Sequence, residues 1–187
     1  MGRHVLYSIF YRCGDGRERL RCVDEAGFRR ALAGIAEAGC RVEFIHDDVL
    51  PREPWLADYV LALLHYAGRP LRLYQVVRLL SVFAMLAGLE DELEVYDTGK
   101  GPWSTEVETT VYELVYTGYL ESTKRGYALT EAKGVDEARC AAAVIEAWSS
   151  DEAKLLKRLA EKTRRMNRAQ FNAFIEKLRP VRAATHV

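Results

Sequence analysis

Apolar and polar residues follow strand and helix periods through the first fifty positions of the chain. Residues 4–12 are β-branched and aromatic on both faces, which is typical of a central strand. A glycine-containing turn leads into a more polar, edge-like strand over 18–23. Asp24 then stands where it can cap a helix whose apolar positions recur at i, i+4 and i+7, and 41–45 predicts a third strand. The pattern predicts a ββαβ unit over 1–50, which is too small for independent stability and should pack on the rest of the chain.

Longer apolar patterns begin after the prolines at positions 51 and 54. The stretch 71–87 is almost continuously apolar and predicts a helix at the centre of the domain, since polar residues interrupt it too often for a membrane span. The alternation over 93–96 predicts a short strand. A further helix is predicted over 55–67, and the side chains that it should bury are Trp55, Tyr59, Val60, Leu63 and Leu64.

The stretch 101–134 predicts a helix, a tight β-hairpin and a second helix in direct succession. Ser104 follows a Gly-Pro-Trp turn and is placed to cap the first helix. The turn Lys124-Arg125-Gly126 joins the two strands of the hairpin. In chain order the predicted parts are the helix 105–117, the strands 119–122 and 127–129, and a helix opened by Thr130. This succession is typical of the second half of a winged helix-turn-helix domain.

The C-terminal region predicts two amphipathic helices. The pair Ser149 and Glu152 has the spacing of a capping box, and apolar side chains fill one half of the helix predicted over 151–168. The pair Asn167 and Gln170 predicts a second capping box and a last helix. The polar half of helix 151–168 carries seven cations: Lys154, Lys157, Arg158, Lys162, Arg164, Arg165 and Arg168.

These patterns predict an α+β fold in three parts. The parts are the ββαβ unit over 1–50, a winged-helix domain over 51–148, and basic C-terminal helices over 149–187. Formal net charge is zero, but residues 51–150 carry nine basic and fifteen acidic side chains, whereas 151–187 carry ten basic and four acidic ones. We therefore expect the tail either to meet a polyanion or to dock on the acidic middle of the molecule.

Composition predicts a cytoplasmic protein. No secretory signal or membrane span is apparent, and two Asn and two Gln in 187 residues are typical of a thermophilic source. The four cysteines show no CxxC spacing, so we expect no zinc site. Reduced thiols are the preferred interpretation, and a disulfide between Cys13 and Cys22 across the first hairpin is the alternative.

Two motifs carry a family resemblance. G-P-W-S stands at 101–104 and Y-A-L-T-E-A-K-G at 127–134, with an amphipathic helix ending in Gly-Tyr-Leu between them. Together they resemble the uncharacterised prokaryotic winged-helix family labelled YwgA-like, over about residues 55–148, and the L-T-E-x-x-G ending is similar to MarR-like and PadR-like regulators. The ββαβ unit and the absence of an aromatic residue just before the Gly-Pro turn depart from the family pattern. The resemblance implies a winged-helix fold and a regulatory or binding role, and it assigns no catalytic residues.

The helix predicted over 105–117 presents carboxylates where a DNA-reading helix would carry cations. Because phosphates repel carboxylates, we expect nucleic acid to be bound elsewhere. The predicted contacts are Lys124 and Arg125 at the hairpin turn and the seven cations of helix 151–168. A solvated surface is the alternative for both groups. The outward face of helix 105–117 is predicted to hold Glu106, Thr109, Thr110, Glu113 and Thr117.

Two further groups of side chains suggest chemistry. Trp103, Tyr112 and Tyr116 are predicted to form an aromatic shelf that could stack bases or receive a partner's apolar side chain, with core packing against helix 71–87 or a dimer contact as the alternative. The triplet His46-Asp47-Asp48 follows directly on a predicted strand, as catalytic acids often do, but no acid or lysine accompanies it at nuclease-like spacing. It also suits the start of a loop, and no phosphate-binding loop or hydrolase motif occurs.

The sequence thus predicts a non-enzymatic nucleic-acid-binding or transcription-regulator-like protein without a cofactor or metal, with DNA favoured over RNA. The alternative is an antitoxin- or adaptor-like protein–protein interaction module whose acidic outer face meets a basic partner. Homodimer formation is left open, no membrane partner is expected, and a metal-dependent nuclease is a distant third.

Overall fold

Residues 4–178 are described by the computed structural model of the chain, and they form an α+β fold of seven helices and three small antiparallel sheets. The elements in chain order are β1 (His4–Arg12), β2 (Glu18–Asp24), α1 (Glu25–Glu37), β3 (Arg41–Leu50), α2 (Leu56–Ala67), α3 (Leu73–Ala87), β4 (Tyr96–Asp97), β5 (Pro102–Trp103), α4 (Thr105–Tyr116), β6 (Leu120–Thr123), β7 (Gly126–Leu129), α5 (Gly134–Trp148), α6 (Ser150–Thr163) and α7 (Arg168–Leu178). None of the helices in this part of the chain is both long and apolar enough to cross a membrane.

The N-terminal sheet has the predicted ββαβ order, with β1 as the central strand between β2 and β3. Asp24 caps α1 by accepting a hydrogen bond from the Gly27 N–H at 2.8 Å, and α1 covers one face of the sheet. β3 is twice as long as the predicted 41–45. Its pairing with β1 continues to His4 opposite Leu50, because the full length of β1 is available as a template.

The N-terminal unit packs on the rest of the chain, as its small size predicts. The Leu20 N–H donates to the carbonyl of Ala132 at 2.9 Å, which covers the outer edge of β2. Beside it, Lys133 Nζ lies 2.7 Å from the Glu18 carboxylate. The sheet is therefore attached to the segment that enters α5.

The main core lies around α3, as the apolar pattern predicts, and Phe83 on this helix is fully buried. α2 buries Tyr59, Val60, Leu63 and Leu64, but the prediction for Trp55 is wrong: it precedes the first turn of α2 and is 63% exposed. Its indole ring lies against the guanidinium of Arg52, 4.5 Å from the ring centroid. Helices α6 and α7 pack into the same core through residues that include Leu156 and Phe171.

The segment between α3 and α4 differs from the predicted strand over 93–96. Residues 89–95 make helical turns in which the Leu93 N–H donates to the Leu89 carbonyl at 3.0 Å, and Leu93 is buried. The strand therefore starts later, at Tyr96, and pairs with β5. The predicted cap of α4 is present: the Val107 N–H donates to Ser104 Oγ at 3.2 Å.

Two predicted helix boundaries are wrong. Thr130 does not open α5 directly, because its Oγ1 accepts from the Gly134 N–H four residues later, where the helix begins. α6 ends at Thr163 instead of 168, because the Arg164 and Met166 N–H groups donate to carbonyls three residues back in a tighter turn, and Asn167 then caps α7. The reciprocal hydrogen bonds of Asn167 and Gln170, at 2.9 and 3.0 Å, confirm the second capping box at the start of α7.

The first capping box is only half formed. Ser149 Oγ accepts from the Glu152 N–H at 3.3 Å, as predicted. The Glu152 carboxylate does not reach back to the Ser149 N–H, because it accepts a 2.6 Å hydrogen bond from the Tyr59 hydroxyl. The same carboxylate therefore joins α6 to α2.

The cysteines are paired in the structure, and both sequence interpretations of them are wrong. Cys13 is bonded to Cys40 and Cys22 to Cys140. Cys22 lies opposite Ser8 in the sheet, well away from Cys13 beyond the end of β1. Cys40 directly precedes Arg41, which pairs with Arg12, so Cys40 is the cysteine that lies beside Cys13.

Candidate nucleic-acid interface

The cations predicted on helix 151–168 all lie at the surface. The opposite side of α6 is buried against the core through Leu156, Leu159 and Ala160, so α6 docks by apolar contact. Within residues 4–178, Lys154 alone among the seven has a carboxylate ion-pair partner, the exposed Asp151 at 3.5 Å.

The exposed side of α6 has mixed charge. Asp151 in its first turn and Glu161 in its last turn are both exposed, and Glu161 falls at i+7 from Lys154 and i+3 from Arg158, on the same stripe of the helix. A polyanion that lies along α6 would meet both signs of charge.

The turn between α6 and α7 is held against the end of α2 by two arginines. Arg164 Nε donates to the Ala67 carbonyl at 2.9 Å, and Arg69 Nη2 donates to the Thr163 carbonyl at 3.2 Å. Each guanidinium therefore satisfies the carbonyl end of the other's helix, where partial negative charge accumulates. The sequence placed Arg164 on the outward face of one long helix. In the structure α6 ends at Thr163, before Arg164, and the Arg164 side chain points to the end of α2.

Arg168 and Lys162 lie over aromatic rings. The Arg168 guanidinium is 5.6 Å from the centroid of the Tyr74 ring, and Lys162 Nζ is 5.5 Å from that of Phe174. These contacts orient both cations without neutralising them.

The hairpin turn at Lys124 and Arg125 lies beside the segment that enters α3. A two-way bridge joins Leu71 to Tyr127, with N···O distances of 3.0 and 2.8 Å. The backbone of Gly126 packs so closely on Leu71 and Arg72 that a Cβ atom at 126 would overlap the Leu71 carbonyl.

The sequence reasoning missed two cations near this turn, Arg69 and Arg72. They bracket the Pro70 junction between α2 and α3, and Arg72 is exposed. Their position was a usable signal, because cations on either side of a proline between two predicted helices lie in a surface connection.

The outward face of α4 matches its prediction. Glu106, Thr109, Glu113 and Thr117 are exposed and Thr110 is partly buried, with no Lys or Arg among residues 105–116.

The predicted aromatic shelf is only partly assembled. Tyr116 is 93% exposed and Tyr112 is 48% exposed, and the Tyr112 ring makes an edge contact with Tyr127 at 6.4 Å between centroids. Trp103 is not brought to them: it pairs with Tyr96 in the β4–β5 sheet and packs on the core.

The triplet His46-Asp47-Asp48 lies inside β3 and not after it, which corrects the sequence prediction. The Asp48 carboxylate is held by Arg52, whose guanidinium also binds Asp58, each pair at 2.8 Å. No group of three or more His, Cys, Asp or Glu side chains within residues 4–178 is arranged to hold a metal ion.

Glu137 on α5 lies next to this ion-pair cluster. Burial, together with the nearby Asp58 and Asp48 carboxylates, raises the pKa of Glu137 to about 7, against a smaller opposing effect of a 3.5 Å hydrogen bond from Ser8 and of Arg52. The site joins the N-terminal sheet to α2 and α5.

Comparisons with protein-family models, with curated proteins and with solved structures found no match for this chain. The geometry of the surface therefore carries the functional argument.

Proposed function

We propose that this chain is a non-enzymatic nucleic-acid-binding regulator built on a winged-helix core. The core would consist of α2, α3, α4 and the β6–β7 hairpin. The Leu71–Tyr127 bridge supports this assignment, because it adds the segment between α2 and α3 to the hairpin as a short third strand. Residues 88–104, which include β4 and β5, connect α3 to α4. This connection of 17 residues is longer than the tight turn that joins the two helices of a standard helix-turn-helix.

The observation that carries the proposal is the outward cationic side of α6 and of the start of α7. Except for Arg164, which turns to α2, its cations lie exposed on the side away from an apolar contact with the core, and one carboxylate partner serves the seven within residues 4–178. Such a surface attracts polyanions at long range and neutralises phosphates on contact. The carboxylates on α4 disfavour the usual major-groove readout by that helix.

A salt titration with fluorescent single- and double-stranded oligonucleotides tests the proposal. Binding should appear at low salt and weaken as salt rises, because phosphate contacts release counterions. Reversing Arg158, Lys162 and Arg165 to Glu should abolish it. The matched control reverses Arg17, Arg29 and Arg30 on the N-terminal unit, which are also exposed.

The control changes net charge by the same amount and should leave most of the affinity. Equal losses in the two variants would show only a general charge effect. Absence of binding by the unmodified protein at low salt would reject the proposal.

A protein–protein interaction module is the second candidate. It is favoured by the nearly full exposure of Tyr116, since large aromatic side chains at the surface are typical of binding hot spots. Glu106 and Glu113 on the same helix would attract a basic partner. A stoichiometric partner purified from native extract should be lost when both are changed to Lys, and retention of the partner would reject this candidate.

A further inference from the structure

We infer that nucleic acid is held at the basic corner, a surface formed by Arg72, Lys124, Arg125, Arg165 and Arg168, and that the ligand is the sugar-phosphate backbone of a duplex, bound without sequence readout. This inference rests on the proposed function. It limits the binding surface to the C-terminal end of α6 with the start of α7, the hairpin turn, and Arg72, which lies outside the C-terminal helices.

The fold brings three separate segments together at the basic corner. The hairpin turn touches Arg72 through the backbone of Gly126, and the Leu71–Tyr127 bridge fixes this contact. On the other side, the turn between α6 and α7 is joined to 67–70 by the two arginine–carbonyl contacts. The segment 67–74 therefore lies between the two other groups of cations.

The three segments contain no acidic residue. Residues 67–74, 122–127 and 163–168 together hold seven Lys or Arg and no Asp or Glu. Two of the seven, Arg69 and Arg164, are engaged with main-chain carbonyls and hold the corner together. The five that remain are exposed, and none has a carboxylate ion-pair partner within residues 4–178.

Neighbouring surfaces are less suited to a polyanion. Along α6 the exposed cations are interspersed with Asp151 and Glu161, and the outward face of α4 is acidic. Phosphates would be repelled or only partly neutralised on these surfaces. The corner is the place where cations from several elements act together.

The aromatic residues favour a duplex over a single strand. Single-strand binding generally depends on free aromatic planes that stack on bases. At the corner, Tyr74 is covered by Arg168 and by an edge contact with Phe171, whose ring centroid is 5.8 Å away. Tyr112 on α4 makes an edge contact with Tyr127 and donates a hydrogen bond to Glu108, and Tyr116 lies at i+3 from Glu113 on the same helix. These carboxylates disfavour a polyanionic strand at the two exposed rings.

The test compares two neutralised variants by salt titration with a duplex and the matching single strand. The corner variant carries Arg72→Gln, Arg125→Gln and Arg165→Gln. The control carries Lys154→Gln, Lys157→Gln and Arg158→Gln at the other end of α6. The control cations lie roughly 8 to 14 Å along the axis of α6 from its end at Thr163, at 1.5 Å per residue, and Arg165 follows in the turn beyond that end. All six side chains are exposed, and circular dichroism checks that each variant is folded.

Five phosphate contacts predict a slope of about −4.5 for log K against log salt with the unmodified protein. The corner variant should lose about 2.7 of that slope and about two orders of magnitude in duplex affinity near 0.1 M salt. The duplex affinity of the control should stay within about fivefold of that of the unmodified protein, because the charges removed in the control act on the duplex only through salt-screened solvent.

Duplex binding that survives in the corner variant, or that falls equally in the control, overturns the inference and leaves the proposed function intact. Tighter binding of the single strand also overturns it. A protein that binds neither oligonucleotide rejects the proposed function itself, so the two failures are distinguishable.

Discussion

Glu137 is the residue whose ionisation should most affect stability near neutral pH. Its ordinary pKa of 4.5 is raised to about 7 in the folded protein, so the folded state binds a proton more tightly than the unfolded state. The free energy of unfolding should therefore fall as pH rises from about 4.5 to about 7, by up to about 3 kcal/mol, and remain lower above that.

Replacing Glu137 by Gln should remove this loss. The variant should be about as stable as the unmodified protein at pH 5 and more stable at pH 8, because the neutral amide has no charge to bury beside Asp48 and Asp58. Urea unfolding at both pH values measures the difference. Glu146→Gln, an exposed site on the same helix, is the control and should show no such divergence. Parallel pH profiles for Glu137→Gln and the unmodified protein would contradict the prediction.

At the scale of elements, Gly126 fixes the hairpin on the segment before α3. Its φ of +130° is unfavourable for other residues, and a Cβ atom there would also lie 2.7 Å from the backbone N of Arg72. Gly126→Ala should lower the free energy of unfolding by at least about 2 kcal/mol, because the strain is relieved only by breaking the Leu71–Tyr127 bridge.

Gly14→Ala is the matched control for Gly126→Ala. Gly14 has open space around its Cβ position, so the change should cost less than about 0.5 kcal/mol. Equal stabilities of the two variants in chemical denaturation would show that the hairpin does not depend on its close approach to Arg72.

Most elements could be predicted because their signals are local. The cap at Ser104 and the reciprocal pair Asn167 and Gln170 are short-range patterns, and the apolar run of α3 identifies the centre of the core. The prediction for Trp55 was wrong because an aromatic residue before the first turn of a helix can lie over a neighbouring arginine instead of in the core.

The candidate site was harder to predict than the elements. Charge counting identified the basic tail, but the position of α6 relative to α2 decides which cations are available. Arg164 is turned to a carbonyl of α2, and Arg72 is brought to the hairpin by one backbone bridge. Both facts depend on contacts between residues far apart in sequence. Hydrophobic periodicity predicts local secondary structure and does not indicate such contacts.

For the whole molecule, the two disulfides decide how the N-terminal unit is retained. Cys13–Cys40 closes a span of 27 residues inside the unit, whereas Cys22–Cys140 spans 118 residues and links β2 to α5. Each crosslink restricts the unfolded chain and should add about 3–5 kcal/mol, with the longer span giving more. Disulfides are rare in cytoplasmic proteins except those of hyperthermophiles. A cytoplasmic protein with these two bonds would therefore agree with the thermophilic source that the low Asn and Gln content predicts.

Thiol titration and denaturation together test the crosslinks. The native protein purified without reductant should show no reactive thiols, and the reduced, denatured protein should show four. Reduction should lower the unfolding midpoint, and Cys22→Ser with Cys140→Ser should cost about 1 kcal/mol more than Cys13→Ser with Cys40→Ser, because the longer loop loses more entropy when it is closed. Four thiols that react in the native protein, with a midpoint indifferent to reductant, would restore the reduced-thiol interpretation. The N-terminal unit would then be held on α5 and on the segment that enters it by non-covalent contacts, among them its edge hydrogen bond, its ion pair to Lys133 and the hydrogen bond from Ser8 to Glu137.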